Sequence, residues 1–427
     1  MSVYPRNLSA FLNRLSGYNK NNIKINVLGS SSANQGDTIQ VDLPTNSIVD
    51  LSSLAWSFLV TYGNPGTGKT NDLPQMAEAH IARLAVEVNG QTLVNIQNYN
   101  LLFQMLLNMT ATEDYQRQRM VAQSDADVPE LAGTSGTLDR AFVVDTWLGF
   151  LGSAKPNFLD TSLLGNVRIT ITLAGPEIIC GDGGARTYAI SQQHFSCDVI
   201  SISDGIYDAM IDQMLASGAP IEVPFKNYFN FTQDATTYAH TLNFHVASQS
   251  VDRLWATCRR ATHSDADAGK IAVAGYSFPC PAHMPQYTNM TAGNGGHFQF
   301  QVNNTLYPNW TSEHPRDWWQ HTKLAVGDQG NMLAGAIPHN FVQYLDNFFV
   351  FSCQLEHRTD GDERFVSGID TRGAAASCFF KCSALTGGQP TLTGTTTAYL
   401  ADNQAVVFAE CTSSLKIMAG KVLEVVQ

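Results

Sequence analysis

Two stretches of this 427-residue chain read alike although they lie about half its length apart: LAVEVNGQTLV at 84–94 and FQFQVNNTLYP at 298–308. Each alternates apolar with polar residues, reaches a Val-Asn turn and continues through Thr-Leu. Period-two alternation marks a strand with one buried face, and an Asn-led step between two such runs marks a tight hairpin. A second pair, IVDLSSLAW at 48–56 and SVDRLWATC at 250–258, recurs in the same order at nearly the same spacing. In both halves a helix pattern follows the Val-Asn turn, at 97–109 and at about 310–324. Ordered matches of this kind indicate tandem duplication of one structural plan. GDGGAR (181–186) is the natural linker between the copies.

The rest of the chain carries the same alternation: Ile39, Val41, Leu43; Val167, Ile169, Ile171, Leu173; Leu242, Phe244, Val246; Leu415, Ile417. Helices are few. One spans 97–109 with Tyr99, Leu102, Phe103 and Leu106 on a single face; another runs from Asp204 as N-cap through Ile206, Met210, Ile211, Met214 and Leu215 to Gly218. A mainly β protein built of sandwiches is expected. The length exceeds one ordinary core and suits two domains of about 200 residues each. Charged residues make up 15% and the formal net charge is −12, which argues against sequence-independent DNA binding by the whole protein. No apolar run approaches the ~18 residues of a membrane span, so neither a span nor a signal peptide is expected. The eight cysteines form no C-x-x-C pair, and several alternate with apolar residues, as buried free thiols do. The N-x-[ST] matches at Asn108, Asn230, Asn289, Asn303 and Asn309 are read as chance.

GNPGTGKT (63–70) matches the phosphate-loop pattern, with Gly63 and Gly68 for the turn, Lys69 for the phosphates and Thr70 for Mg²⁺. AFVVD (141–145) imitates the strand whose Asp holds the metal. The context is wrong for a nucleotide site. A phosphate loop opens directly into a long helix, but Pro74 follows Thr70 closely and limits any helix there. The preceding strand places Leu54, Trp56, Phe58, Val60 and Tyr62 at every second position, whereas the buried parallel strands of nucleotide-binding folds are apolar throughout. We read 63–70 as a decoy: a Gly/Pro loop between antiparallel strands.

The runs LPTNSIVDLSSLAWSF, VNGQTLVNIQNYNLLFQML, GFLGSAKPNFLDTSLLGNVRITITLA and VISISDGIYDAMIDQMLASG resemble the double jelly-roll major capsid proteins of polinton-like viruses, virophages and adintoviruses. The resemblance spans from about residue 25 to the C-terminus in matching order. It implies two tandem eight-stranded antiparallel jelly rolls with a few short helices. It also implies a homotrimer that acts as a pseudo-hexagonal tile of an icosahedral viral shell. The expected parts are a basic arm at 1–24, a first roll at 25–180, a linker at 181–194 and a second roll at 195–427. Neighbouring capsomers, penton and minor capsid proteins are the implied partners. The implied location is the virion, after synthesis and assembly in host cytoplasm or nucleus, with no cofactor and no catalysis.

Candidate sites beyond that are sparse. The opening segment carries Arg6, Arg14, Lys20 and Lys24 without an acid, and Leu8, Phe11, Leu12 and Leu15 can share a helical face. Such an arm can contact neighbouring capsomers, a minor capsid protein, an inner membrane or the genome on the inner face of a shell; a frayed terminus is the plain alternative. EHPRDWWQHTKL (313–324) gathers His314, His321, Trp318 and Trp319. Packing or an interface explains adjacent tryptophans better than a metal, because no ligand spacing accompanies them. SDAD at 124–127 and 264–267 lacks the glycine and glutamate of a calcium loop. The competing function is a carbohydrate-binding or carbohydrate-cleaving sandwich that uses Trp310, Trp318, Trp319 and loop carboxylates.

Overall fold

The computed structural model describes residues 18–427 apart from 75, 120–129, 182–184, 203–204, 217, 219, 236–238, 261–296, 313–314, 327–343, 345–349, 357–367, 373–376, 384–402 and 419–421. The first half contributes β1 (Tyr18–Ile25), β2 (Thr38–Asp42), β3 (Ile48–Tyr62), β4 (Ile81–Val88), β5 (Gln91–Gln97), β6 (Leu138–Val144), β7 (Val167–Leu173) and β8 (Tyr188–Ile202). They pair antiparallel into one sheet ordered β1-β8-β3-β6 and another ordered β2-β7-β4-β5. The second half contributes β9 (Ile221–Ala235), β10 (Ala239–His245), β11 (Val251–Arg260), β12 (His297–Val302), β13 (Thr305–Ser312), β14 (Phe351–Gln354), β15 (Ser377–Ser383) and β16 (Asn403–Met418). These form β9-β16-β11-β14 and β10-β15-β12-β13. Adding eight to every label of the first half gives the order of the second. The chain is two jelly rolls of one topology.

Alternation in the sequence becomes burial in the sheets. Leu54, Trp56, Phe58, Val60 and Tyr62 of β3 all face the first core, while Ser53, Ala55, Ser57 and Thr61 between them are partly exposed. The second core is built around the rings of Phe298, Phe300, Phe351 and Phe380. Both β4–β5 and β12–β13 close through two residues, because Val88 pairs with Gln91 and Val302 with Thr305. Asn89 (φ 48°), Gly90 (φ 81°) and Asn303 (φ 55°) take the left-handed conformation that such turns demand and that Asn and Gly tolerate best. The pairing corrects one detail of the alignment. Thr305 stands where Gln91 does, so the two Thr-Leu steps are offset by one residue.

Helices follow both hairpins, and α1 (Tyr99–Thr110) is the one after β5. α2 (Phe150–Ser153) lies between β6 and β7, α3 (Gly205–Ala216) joins the rolls, and α4 (Pro315–Val326) is the helix after β13. The expected helix over 310–324 therefore starts later, since β13 runs to Ser312.

Two expected boundaries move. Residues 188–202 are not linker and second roll but β8, which pairs with both β1 and β3. A jelly roll's last strand returns beside its first, and local pattern cannot reveal that return; GDGGAR only leads into it. The arm expected at 1–24 likewise ends earlier, because Tyr18–Ile25 is β1 at the edge of a sheet. With Ile23 and Ile25 as its only aliphatic residues, that strand carries too little alternation to be read as one.

Candidate assembly surface

The two halves share more than topology. Lys20 of β1 sits opposite Ile200, which pairs with Ile48, and its Nζ lies 2.8 Å from Asp198 Oδ2 and 3.9 Å from Asp50 Oδ2. Lys20 and Asn22 hold the Asp198 carboxyl below its ordinary pKa. In the second roll Lys226 of β9 sits opposite Thr412, whose N–H donates to Ser250, and Lys226 Nζ donates to Asp252 Oδ2 at 2.7 Å. Asp50 and Asp252 are the aspartates matched in the 48–56 and 250–258 repeat. Lys20 and Lys226 are therefore equivalent positions of strands β1 and β9.

The second member of this pair has become the centre of a buried network. Asp252 also accepts from Ser250 and Thr412 hydroxyls at 2.6 Å each. Arg253 Nη2 donates to Glu356 Oε1 at 2.8 Å, and Trp255 Nε1 donates to Glu410 Oε2 at 3.0 Å. Burial works to lower the Arg253 pKa, but Glu410 and Glu356 outweigh it and hold the guanidinium above its usual value. Buried charges persist only when paired and hydrogen-bonded. The repeat displayed the aspartates, but their lysines lie across the sheet and far away in sequence.

Along the seam between the rolls, β9 lies against β5 and α2. Asn98 Nδ2 donates to Asn230 Oδ1 at 2.8 Å, and Asn227 Nδ2 reaches Leu93 O at 3.5 Å. Lys155 N–H donates to Pro224 O at 3.1 Å, and Lys226 N–H to Ser153 Oγ at 2.8 Å. Phe150 meets Phe225 edge to face at 5.2 Å. Asn227 is only 2% exposed and Tyr228 7%. The seam brings two sheet edges, β5 and β9, together and buries part of each, Leu93 and Val94 on one side and Phe225, Asn227 and Tyr228 on the other.

The remaining sequence candidates fall as follows. At 63–70 the backbone points inward: Gly63 N–H donates to Thr187 O, Gly66 N–H to Asn64 Oδ1 and Lys69 N–H to Gly66 O. Thr70–Asp72 is a strand paired with Glu130–Ala132 and Cys180–Gly181, so Gly63, Gly68, Lys69 and Thr70 form no anion cradle at a helix N-terminus. Lys20 and Lys24 belong to β1, while Arg6, Arg14, His314 and both SDAD segments lie outside the described residues. Trp318 is fully buried, donates to Ser312 O at 2.9 Å and meets Phe298 edge to face. Trp319 packs on Tyr344. Trp310, Trp318 and Trp319 thus make no shared sugar platform, and Trp310, 51% exposed on β13, is the one that faces solvent. Five described cysteines are free thiols, and burial pushes Cys353, Cys382 and Cys411 up to about 12. Among the described residues no three His, Cys, Asp or Glu side chains group as metal ligands.

No protein-family model and no curated protein sequence matches the chain. Solved structures match it over nearly its whole length. PBCV-1 VP54, fitted into a reconstruction of the virophage Sputnik, is 12% identical with a TM-score of 0.63, over 100% of this chain and 99% of that one. The chain of the quasi-atomic PBCV-1 capsid is 13% identical at 0.62, again over 100% and 99%. The Faustovirus major capsid protein is 8% identical at 0.57, over 97% and 92%. The chain has the double jelly-roll fold of viral major capsid proteins. At such identities fold is what the likeness carries.

Proposed function

We propose that this protein is a structural major capsid protein of a DNA virus, a homotrimer whose six rolls form a pseudo-hexagonal tile of an icosahedral shell. The observation that carries the reading is two rolls of one strand order in a single chain, joined edge to edge by a buried seam. A threefold ring of such chains presents six nearly equivalent sides to its neighbours, which suits tiling. We place the first roll at 18–202 and the second at 221–427. The role is architectural, without a cofactor or substrate, and the partners are neighbouring capsomers with penton and minor capsid proteins. Arg6 and Arg14, upstream of β1, keep a proposed inner-face role toward membrane or genome. Native mass spectrometry at micromolar concentration tests the reading: three chain masses are expected, with hexagonal outlines in negative-stain images. A monomer under those conditions overturns it.

A further inference from the structure

We infer that the Lys226–Asp252 pair is an autocatalytic cross-link site, where lysine Nζ and aspartate Cγ join in an isopeptide bond that staples β9 to β11 across β16. The inference goes beyond the capsid reading and does not depend on it, since every group belongs to one chain. Val251 pairs with Cys411 and Arg253 with Glu410, so Asp252 is the extra residue of a β-bulge. A bulge re-aims a side chain, and here Asp252 meets Lys226 over Thr412 of the strand between them.

The parts that amide formation requires converge at this point. Nζ, the nucleophile, lies 2.7 Å from Oδ2 of a fully buried carboxyl group. Ser250 donates its hydroxyl to Oδ1, the oxygen that stays, and Thr412 donates to Oδ2, the oxygen that leaves, each at 2.6 Å. Such fixed donors stabilise the charge that develops as Nζ adds to Cγ. Buried Glu356 is the proton carrier: Arg253 holds its Oε1, while Oε2 has no hydrogen-bond partner and lies 3.7 Å from Nζ. One ammonium proton passes along the Nζ–Oδ2 hydrogen bond, leaving an amine beside a carboxylic acid. Nζ then adds to Cγ, its second proton moves through Glu356 Oε2 to the Oδ2 hydroxyl, and the Cγ–Oδ2 bond breaks to release water. One positive and one negative charge disappear, and no oxidant or cofactor is consumed. The partly exposed Lys226 side chain gives the water a way out. In the first roll Lys20, at the equivalent position, is 45% exposed, and water keeps that pair as ions. The bond closes residues 226–252 into a covalent loop and constrains the unfolded chain as a disulfide would, in a protein whose described cysteines are free thiols.

Mass spectrometry of the purified, denatured chain tests this. The wild type should be lighter than its sequence mass by one water. Trypsin should fail to cut after Lys226, giving a peptide 187–253 that is itself one water light. An aspartimide also loses water but leaves Lys226 cleavable, so the two readouts together are specific. Glu356→Gln and Lys226→Arg should each restore the full mass and the cut after position 226. A wild-type chain of full mass, or one that is light yet cut after Lys226, overturns the inference without reference to any variant's folding. Water loss that persists in Glu356→Gln overturns the role given to Glu356.

Discussion

At the scale of single residues the first roll holds a buried imidazole. His80 is fully inside; Nδ1 donates to Ala77 O at 2.9 Å, which leaves Nε2 to accept from the Tyr62 hydroxyl at 2.9 Å. The rings of Tyr188 and Phe142 flank it. Burial lowers its pKa from 6.5 to about 4 against the opposing pull of the Ala77 bond. Below pH 6.5 the unfolded chain takes up a proton that the native state refuses until about pH 4, so stability falls as pH falls through that window. The loss amounts to about 3 kcal/mol. His80→Gln should therefore lose about 2–3 kcal/mol less than wild type between pH 7 and 4.5 in urea titrations; equal losses would contradict the buried neutral imidazole. The lysines give a second contrast. Lys226→Met strips a buried aspartate of its cation and should cost about 3–5 kcal/mol, whereas Lys20→Met removes a half-exposed pair and should cost close to nothing. Denaturant midpoints of the two variants measure it. Neither lysine was legible as a partner, since a sequence shows what repeats and not what faces it across a sheet.

At the scale of elements, the hairpins were legible because their chemistry is local. The turns at Asn89-Gly90 and Asn303-Asn304 each follow an alternating strand, and only a few residue types accept the left-handed backbone of Asn89, Gly90 and Asn303. Asn89→Gly and Asn303→Gly should be tolerated within a few tenths of a kcal/mol, while Val at either position should cost about 1–2 kcal/mol. Thermal unfolding of the four variants checks this. β1 and β8 escaped for the opposite reason. β1 has only Ile23 and Ile25 to bury, and β8 is recognisable as the first roll's last strand only through its pairing with β1 and β3. The apparent linker GDGGAR precedes β8 in the sequence, and composition alone does not separate a glycine-rich stretch within a roll from a boundary between rolls.

At the scale of the whole molecule, the seam decides whether the two rolls behave as one body. Phe225 belongs to β9, is 2% exposed and meets Phe150 of the first roll. Removing a buried phenylalanine costs about 3–5 kcal/mol, and here the loss falls on the seam, where the apolar residues of the two rolls join into one cluster, and on the second roll, while Leu54, Trp56, Phe58, Val60 and Tyr62 of the first roll stay buried. Wild type should then unfold in a single calorimetric transition, which requires the seam to couple the rolls by more than the difference in their separate stabilities. Phe225→Ala should split that transition in two, with the second roll melting first and the upper step close to the wild-type temperature. With Trp56 and Trp147 of the first roll replaced by Phe, the remaining tryptophans, Trp255, Trp310, Trp318 and Trp319, all belong to the second roll and report it alone by fluorescence. A single transition that merely moves to lower temperature would mean that the rolls are coupled chiefly outside Phe225, through the neighbouring hydrogen bonds of Asn98, Ser153 and Lys155.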